Sequence, residues 1–194
     1  MVALRKQTPS DMTVDEFMAW VPDDGSVRGW QLIDGEPLAM APARERHGAI
    51  HNELGRLIGN HLAAAPTPCR VLTEPGIVPR VRANRNYRVP DLAIACSPPG
   101  NEVVVPEPTV LIEILSPSNE ATTRANIWAY TTIPSVREIL AVHTVRVEAE
   151  LLRRNADGSW PEEAETIGPE GTLTLASVGF VVPLRSVYRT TTLG

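Results

Sequence analysis

Thr109-Val-Leu-Ile-Glu-Ile-Leu115 decides the reading of the fold. It follows a Pro/Gly-rich loop and is apolar at nearly every position, the pattern of a strand buried on both faces. One charge interrupts it: Glu113, which is costly to bury there unless something pairs with it. Downstream, Glu120–Thr131 reads as a helix with Ser118 or Asn119 as its cap and Pro134 as its stop. Val136–Val142 and Val145–Leu152 read as two further strands. Asp157-Gly158 is a turn and the Pro/Glu-rich stretch 161–170 a surface loop. Short strands near Leu173–Leu175 and Phe180–Leu184 follow.

Upstream, three strand-like runs precede the buried strand: Cys69–Thr73, Ile77–Arg82 and Arg88–Ala95, the last two joined by a turn at Asn84-Arg85-Asn86. Before them, Arg44–Ala65 is the main helix, with Ile50, Leu54, Leu57, Ile58 and Leu62 on one face and Pro66 and Pro68 as its stop. Asp34-Gly35 between the runs Gly29–Ile33 and Glu36–Met40 is a hairpin signal, and Pro37 suits an edge strand. Thr13-Val-Asp-Glu16 is a capping box opening a short helix to about Trp20, ended by Pro22-Asp23-Asp24-Gly25. The element order predicts a mixed α/β fold, a central sheet flanked by helices with an N-terminal β-hairpin. A tail over 1–12 and one domain over 13–190 accommodate it.

Of the 194 residues, 43% are hydrophobic and only 5% aromatic, so aliphatic side chains must fill the core. No apolar run is long enough to span a bilayer. The N-terminal segment has no apolar stretch of the secretory kind, and a cytoplasmic protein is expected. Cys69 and Cys96 lie in apolar segments and read as small buried hydrophobes. A net charge of -5 argues against tight non-specific nucleic-acid binding, although a locally basic cleft is compatible with it. Lysine is nearly absent: Lys6 is the only one.

Asp91 heads one apolar strand and Glu113 sits inside another. Two carboxylates on neighbouring strands can hold a hard divalent cation, and such an ion binds a phosphate and activates water. The plainer alternative is a buried ion pair with Arg88 or Arg124. Arg80, Arg82, Arg85 and Arg88 run up to Asp91 and suit phosphate contacts, or a solvated surface. His47 and His51 share a helix face, but the catalytic glutamate of a zinc-protease motif is missing between them. His51, Trp128 and Tyr130 read as structural.

Four short motifs, in order, resemble the Uma family of restriction-endonuclease-like proteins. Trp30-Gln-Leu-Ile-Asp-Gly-Glu36 is similar to that family's Y-E-L-I-D-G-E hairpin. Arg88-Val-Pro-Asp91-Leu-Ala-Ile is similar to its R-x-P-D-L-x-x strand. Leu111-Ile-Glu113-Ile-Leu-Ser-Pro-Ser118 is similar to its V-E-V-L-S-P-S strand and turn. Tyr130 and Ile133-Pro134-Ser-Val-Arg-Glu-Ile139 are similar to the family's next segment, so the resemblance spans about Thr13 to His143. It implies a PD-(D/E)XK nuclease core with Mg²⁺, or Mn²⁺, held by Asp91, Glu113 and the Ile114 carbonyl. It also implies DNA as the partner of an active protein. Glu36 and His47 become candidate cleft residues.

Two expected active-site groups are changed. The family's water-orienting lysine lies four residues before the tyrosine, where this chain has Asn126, and the family's hairpin glutamate is Gln31 here. Asn126 is expected to position water by its amide, with Arg124 supplying the missing charge. Three readings stand at this point. One is a Mg²⁺-dependent endonuclease of impaired activity. The second is an inactive nuclease fold serving as a nucleic-acid-binding, regulatory or dimerisation module. The third is an interaction protein without nucleic acid. Double-strand cleavage favours symmetric pairs, so a homodimer is expected of the first.

Overall fold

A computed structural model describes residues 10–20 and 29–194. The expected stop at Pro22–Gly25 and Lys6 lie outside the described residues. Helix α1 (Val14–Ala19) opens on the Thr13/Glu16 capping box. The hairpin β1 (Trp30–Ile33) and β2 (Glu36–Ala39) comes next, turning at Asp34-Gly35 where both residues have positive φ. Helix α2 (Glu45–Ala64) is the long one. A six-stranded sheet is then built from β3 (Arg70–Thr73), β4 (Leu92–Ala95), β5 (Pro108–Leu115), β6 (Glu138–His143), β7 (Ala149–Arg153) and β8 (Glu165–Ile167), in that spatial order. Every pair is antiparallel except β5 with β6, whose parallel register is bridged by α3 (Glu120–Tyr130). A second hairpin, β9 (Thr172–Leu175) with β10 (Phe180–Pro183), follows, and a 3₁₀ helix over Leu184–Tyr188 comes after it.

Strand periodicity sorts the two faces of the sheet. Val110, Ile112 and Ile114 of β5 join Ile50, Leu54, Ile58 and Leu62 of α2 and the β9–β10 hairpin in one core. Leu111 and Leu115 point the other way, to Ile127 and Tyr130 of α3. Alternation therefore sends Glu113 to the α3 face. A third cluster joins the N-terminal elements to the segment leading into β4 through Phe17, Leu32 and Tyr87.

Several expectations need correction. Ile77–Arg82 is not a strand: Ile77 bridges Arg88 alone, and the chain then passes through a 3₁₀ turn at Ala83–Arg85 after Arg82 at φ 43°. Pro79, which offers a ladder no N–H, explains the break. Stretch 161–170 is not all loop, since it holds β8. Trp128 is 62% exposed rather than core. Cys69 and Cys96, placed opposite each other by the β3–β4 register, are not free hydrophobes but a disulfide. Disulfides persist mainly in oxidising compartments, so these cysteines lend the cytoplasmic expectation no support. Among the described residues, no helix is long and apolar enough to cross a membrane.

The C-terminal segment is tied to α2 by a buried carboxylate. Glu53 Oε1 accepts from Arg56 at 2.6 Å and from Arg189 at 3.0 Å. Hydrogen bonds from these two arginines hold its pKa at about 2, below the usual 4.5. A depressed folded pKa gives stability that is full above the unfolded value and is lost as pH falls toward 2. Glu53→Gln is expected to cost about 1–2 kcal/mol at pH 7, a figure kept low because both arginines are largely exposed. Thermal melts should show this gap closing between pH 4.5 and 2. A gap independent of pH would assign the loss to packing instead.

Candidate active site

The antiparallel ladder pairs Leu92 with Ile112, so Asp91 and Glu113 stand next to each other in register. The Ile114 N–H donates to Asp91 Oδ2 at 2.6 Å, fixing that carboxylate at the edge of β5. In an extended strand the N–H and C=O of one residue face the same neighbour, so the Ile114 carbonyl points toward Asp91 as well. Helix α2 brings two histidines from its one face. His47 Nε2 lies 3.2 Å from Asp91 Oδ1, and His51 Nε2 is 2.8 Å from the Asp91 carbonyl. The Glu74 N–H donates to that same carbonyl at 3.0 Å, from a backbone at φ 46°.

Glu113 is met from α3. Its Oε1 accepts from the Tyr130 hydroxyl at 2.8 Å and from Asn126 Nδ2 at 3.2 Å. Four residues apart, Asn126 and Tyr130 lie on one face of α3 and reach the same oxygen. Gln31 Oε1 accepts from Asn126 Nδ2 at 3.3 Å and from the Val89 N–H at 3.2 Å. Asn126 Oδ1 accepts from Arg88 Nη1 at 3.0 Å, and Arg88 Nη2 donates to Asn86 Oδ1 at 2.9 Å. Asn86 closes the chain by donating from Nδ2 to Asp34 Oδ1 at 3.1 Å.

This network leaves Glu113 Oε2 without a protein hydrogen bond among the described residues. Burial raises the Glu113 pKa well above 4.5, and the adjacent Asp91 charge adds to it, against the bonds from Tyr130 and Asn126. Tyr130 is pushed far up by burial and by Glu113. At His47 burial works downward, but the hydrogen bond and charge of Asp91, with Glu74, prevail and raise it. Two neighbouring carboxylates largely out of water, with Glu113 Oε2 unspent, form a site that a divalent cation would relieve.

Residues 14–184 match the Uma2 family, described as "Putative restriction endonuclease". The chain belongs to the Uma2 family. An uncharacterized protein of Synechocystis sp. is 25% identical over 181 residues, covering 92% of each chain. A crystal structure of "a putative nuclease" from Anabaena variabilis superposes with a TM-score of 0.71 at 16% identity, over 92% of this chain and 98% of that one. The fold is therefore the nuclease-like one that the sequence motifs implied.

Within this Uma2 protein, Asp91, Glu113, Gln31 and Asn126 come together, and His47 joins them at Asp91. Other candidates do not. Arg124, two residues from Asn126, faces away and donates from Nη2 to Glu150 at 2.8 Å and to Glu120 at 3.3 Å, so it does not supply the missing charge. Nor does Arg88 or Arg124 form an ion pair with Glu113. Glu36 is exposed near the hairpin turn. Arg82 pairs with Asp34 at 3.4 Å, and Arg85 with Asp11. Arg80 is exposed. Arg88 is buried in the site instead of lying on the surface.

Sequence reasoning misses three residues of the site: Tyr130, Glu74 and Asn86. The Asn126–Tyr130 spacing is the available signal for Tyr130; Glu74 and Asn86 are brought in by loops, whose placement carries no periodicity. A separate group, His143, Glu148 and Glu150, has ligand-type atoms within 4.8 Å of one another. It lies at β6–β7, and its carboxylates are already met by cations. Arg146 Nη2 is 2.6 Å from Glu148, and Arg124 holds the Glu150 pKa at about 2.

Proposed function

We propose that this Uma2 protein is a divalent-metal-dependent endonuclease acting on DNA phosphodiesters, with activity reduced by the changes at positions 31 and 126. The observation that carries the reading is the apposition of Asp91 and Glu113, with Asn126, the residue the resemblance puts in the place of the family's lysine, bonded to Glu113. Asp91, Glu113 and the Ile114 carbonyl would hold Mg²⁺ or Mn²⁺. All are hard oxygen donors, and the free Glu113 Oε2 fits the ion. Such an ion binds phosphate oxygen and lowers the pKa of water. The protein's own groups do the rest: Tyr130 and Asn126 orient Glu113, His47 and Ile114 orient Asp91, and Asn126 offers an amide but no charge.

The test is plasmid nicking with Mg²⁺, Mn²⁺ or chelator, beside calorimetry of metal binding. Metal-dependent nicking is the expected result. Metal binding without nicking gives the second reading, an inactive nuclease fold that binds nucleic acid or pairs subunits, which the neutral Gln31 and Asn126 favour. Absence of metal binding removes both. A symmetric dimer is expected of the first reading and is compatible with the second; sedimentation with and without DNA measures it.

Arg80, Arg82 and Arg85 lie on an irregular basic loop that leads into the site, and the surface ion pairs of Arg82 and Arg85 are weak enough to exchange for phosphates. Neutralising all three is expected to lower the slope of log affinity against log salt by about 1 for each phosphate left unneutralised. An unchanged slope assigns the loop to solvent.

A further inference from the structure

Arg88 is 5% exposed and forms no ion pair among the described residues. Its Nη1 and Nη2 meet two neutral amides, Asn126 and Asn86, and its Nε–H is buried with no partner. Burial lowers its pKa, while Tyr130, Asp34 and Glu113 pull it back up. A buried guanidinium satisfied only by amides is unfavourable in isolation, and a charge kept at that cost calls for a role.

We infer that Arg88 is a positioning residue of this site, which turns the Asn126 carboxamide toward Glu113 and carries the positive charge that the lysine-less helix lacks. The inference rests on the nuclease reading above. Asn126 Oδ1 is engaged by the guanidinium, so Nδ2 must face Glu113 and Gln31; the flipped amide would set N–H against N–H. Arg124 is committed to Glu120 and Glu150, on the other side of α3. Arg88 itself is held rigidly: it exchanges both backbone hydrogen bonds with Ile77 at 2.8 Å, and only Val89 and Pro90 separate it from Asp91. Its fixed fork suits orientation of an amide, while its charge acts on the carboxylates and on the phosphate that they would bind through the metal.

Three variants test this: Arg88→Met, Arg88→Gln and Arg88→Met/Asn126→Lys, with Mn²⁺ binding measured by calorimetry in the absence of DNA and cleavage measured at saturating Mn²⁺. Removing a nearby positive charge should tighten Mn²⁺ binding about tenfold, the scale of one unit charge several ångströms away in a medium of intermediate dielectric. Cleavage at saturating metal should fall roughly 10²-fold, since the charge acts on the transition state. In the double variant the ammonium occupies the vacated space and should restore at least about tenfold. A purely structural Arg88 gives the opposite metal result, because a loosened site binds more weakly, and Asn126→Lys would not rescue it. Unchanged or weaker Mn²⁺ binding by folded Arg88→Met overturns the inference, as does an unchanged kcat. Should Arg88→Met fail to fold, Arg88→Gln, which keeps a donor and removes the charge, carries the same Mn²⁺ expectation. Should the wild type show no metal-dependent cleavage, the nuclease reading fails alone, and the sign of the Mn²⁺ change still decides whether Arg88 acts on the site by its charge.

Discussion

Glu113→Gln is expected to abolish metal-dependent cleavage, by at least about 10³-fold, while making the metal-free protein more stable. The two halves share one cause. Glu113 is 4% exposed and lies beside Asp91, and burial with that charge raises its pKa. A carboxyl raised in the folded state is favoured when protonated, so above the unfolded value of 4.5 the ionised group works against folding. Glutamine keeps an acceptor for Tyr130 and Asn126 and removes the charge. Melting in chelator should therefore rise for Glu113→Gln. Wild type should instead be stabilised by metal: at 100-fold excess over Kd a ligand adds about 2.7 kcal/mol, roughly 5–10 °C for a chain of this size. That increment should vanish in Glu113→Gln and in Asp91→Asn. Raising the pH in chelator should destabilise wild type, relative to Glu113→Gln, across the window from 4.5 up to the raised pKa. A metal-induced rise that survives in both variants places the ion elsewhere, and the His143, Glu148 and Glu150 group is then the first place to look.

Asn126→Lys is expected to raise cleavage about 10- to 10²-fold over a weak wild-type rate. The position faces Glu113, and a fixed cation next to developing phosphorane charge acts where electrostatic stabilisation is largest. The gain is limited by Arg88, whose Nη1 lies 3.0 Å from the amide oxygen that the substitution removes, so that two cations then share one buried space. Combining Asn126→Lys with Glu113→Ala should abolish any gain. Robust wild-type cleavage that Glu113→Ala removes would mean that Asn126 and Arg88 already do the lysine's work. No gain from Asn126→Lys, in protein that folds and binds metal, would leave Gln31 or a non-enzymatic role as the better account.

Local order was legible in the sequence because local order is periodic. The capping box, the Asp34-Gly35 hairpin, the apolar face of α2, the unbroken β5 and the span of α3 all emerge from spacing that the backbone itself imposes. The apposition of Asp91 and Glu113 was expected from the resemblance of their two motifs to the family's, not from spacing, and the β4–β5 register supplies it. Tertiary structure decided what no period encodes. Whether Arg124 serves the site depends on which face of α3 meets β5, and the two-residue step from Arg124 to Asn126 sends one outward to Glu150 and the other inward to Glu113. Tyr130 became a hydrogen-bond donor to Glu113, Trp128 was left in solvent, and Cys69 met Cys96 only once β3 and β4 were in register. Ile77–Arg82 is apolar and basic like a strand, yet Pro79 and the want of a partner leave it a loop. A side chain's chemistry is written in the chain, but its neighbours are set by contacts between residues far apart in sequence, and those contacts form the site.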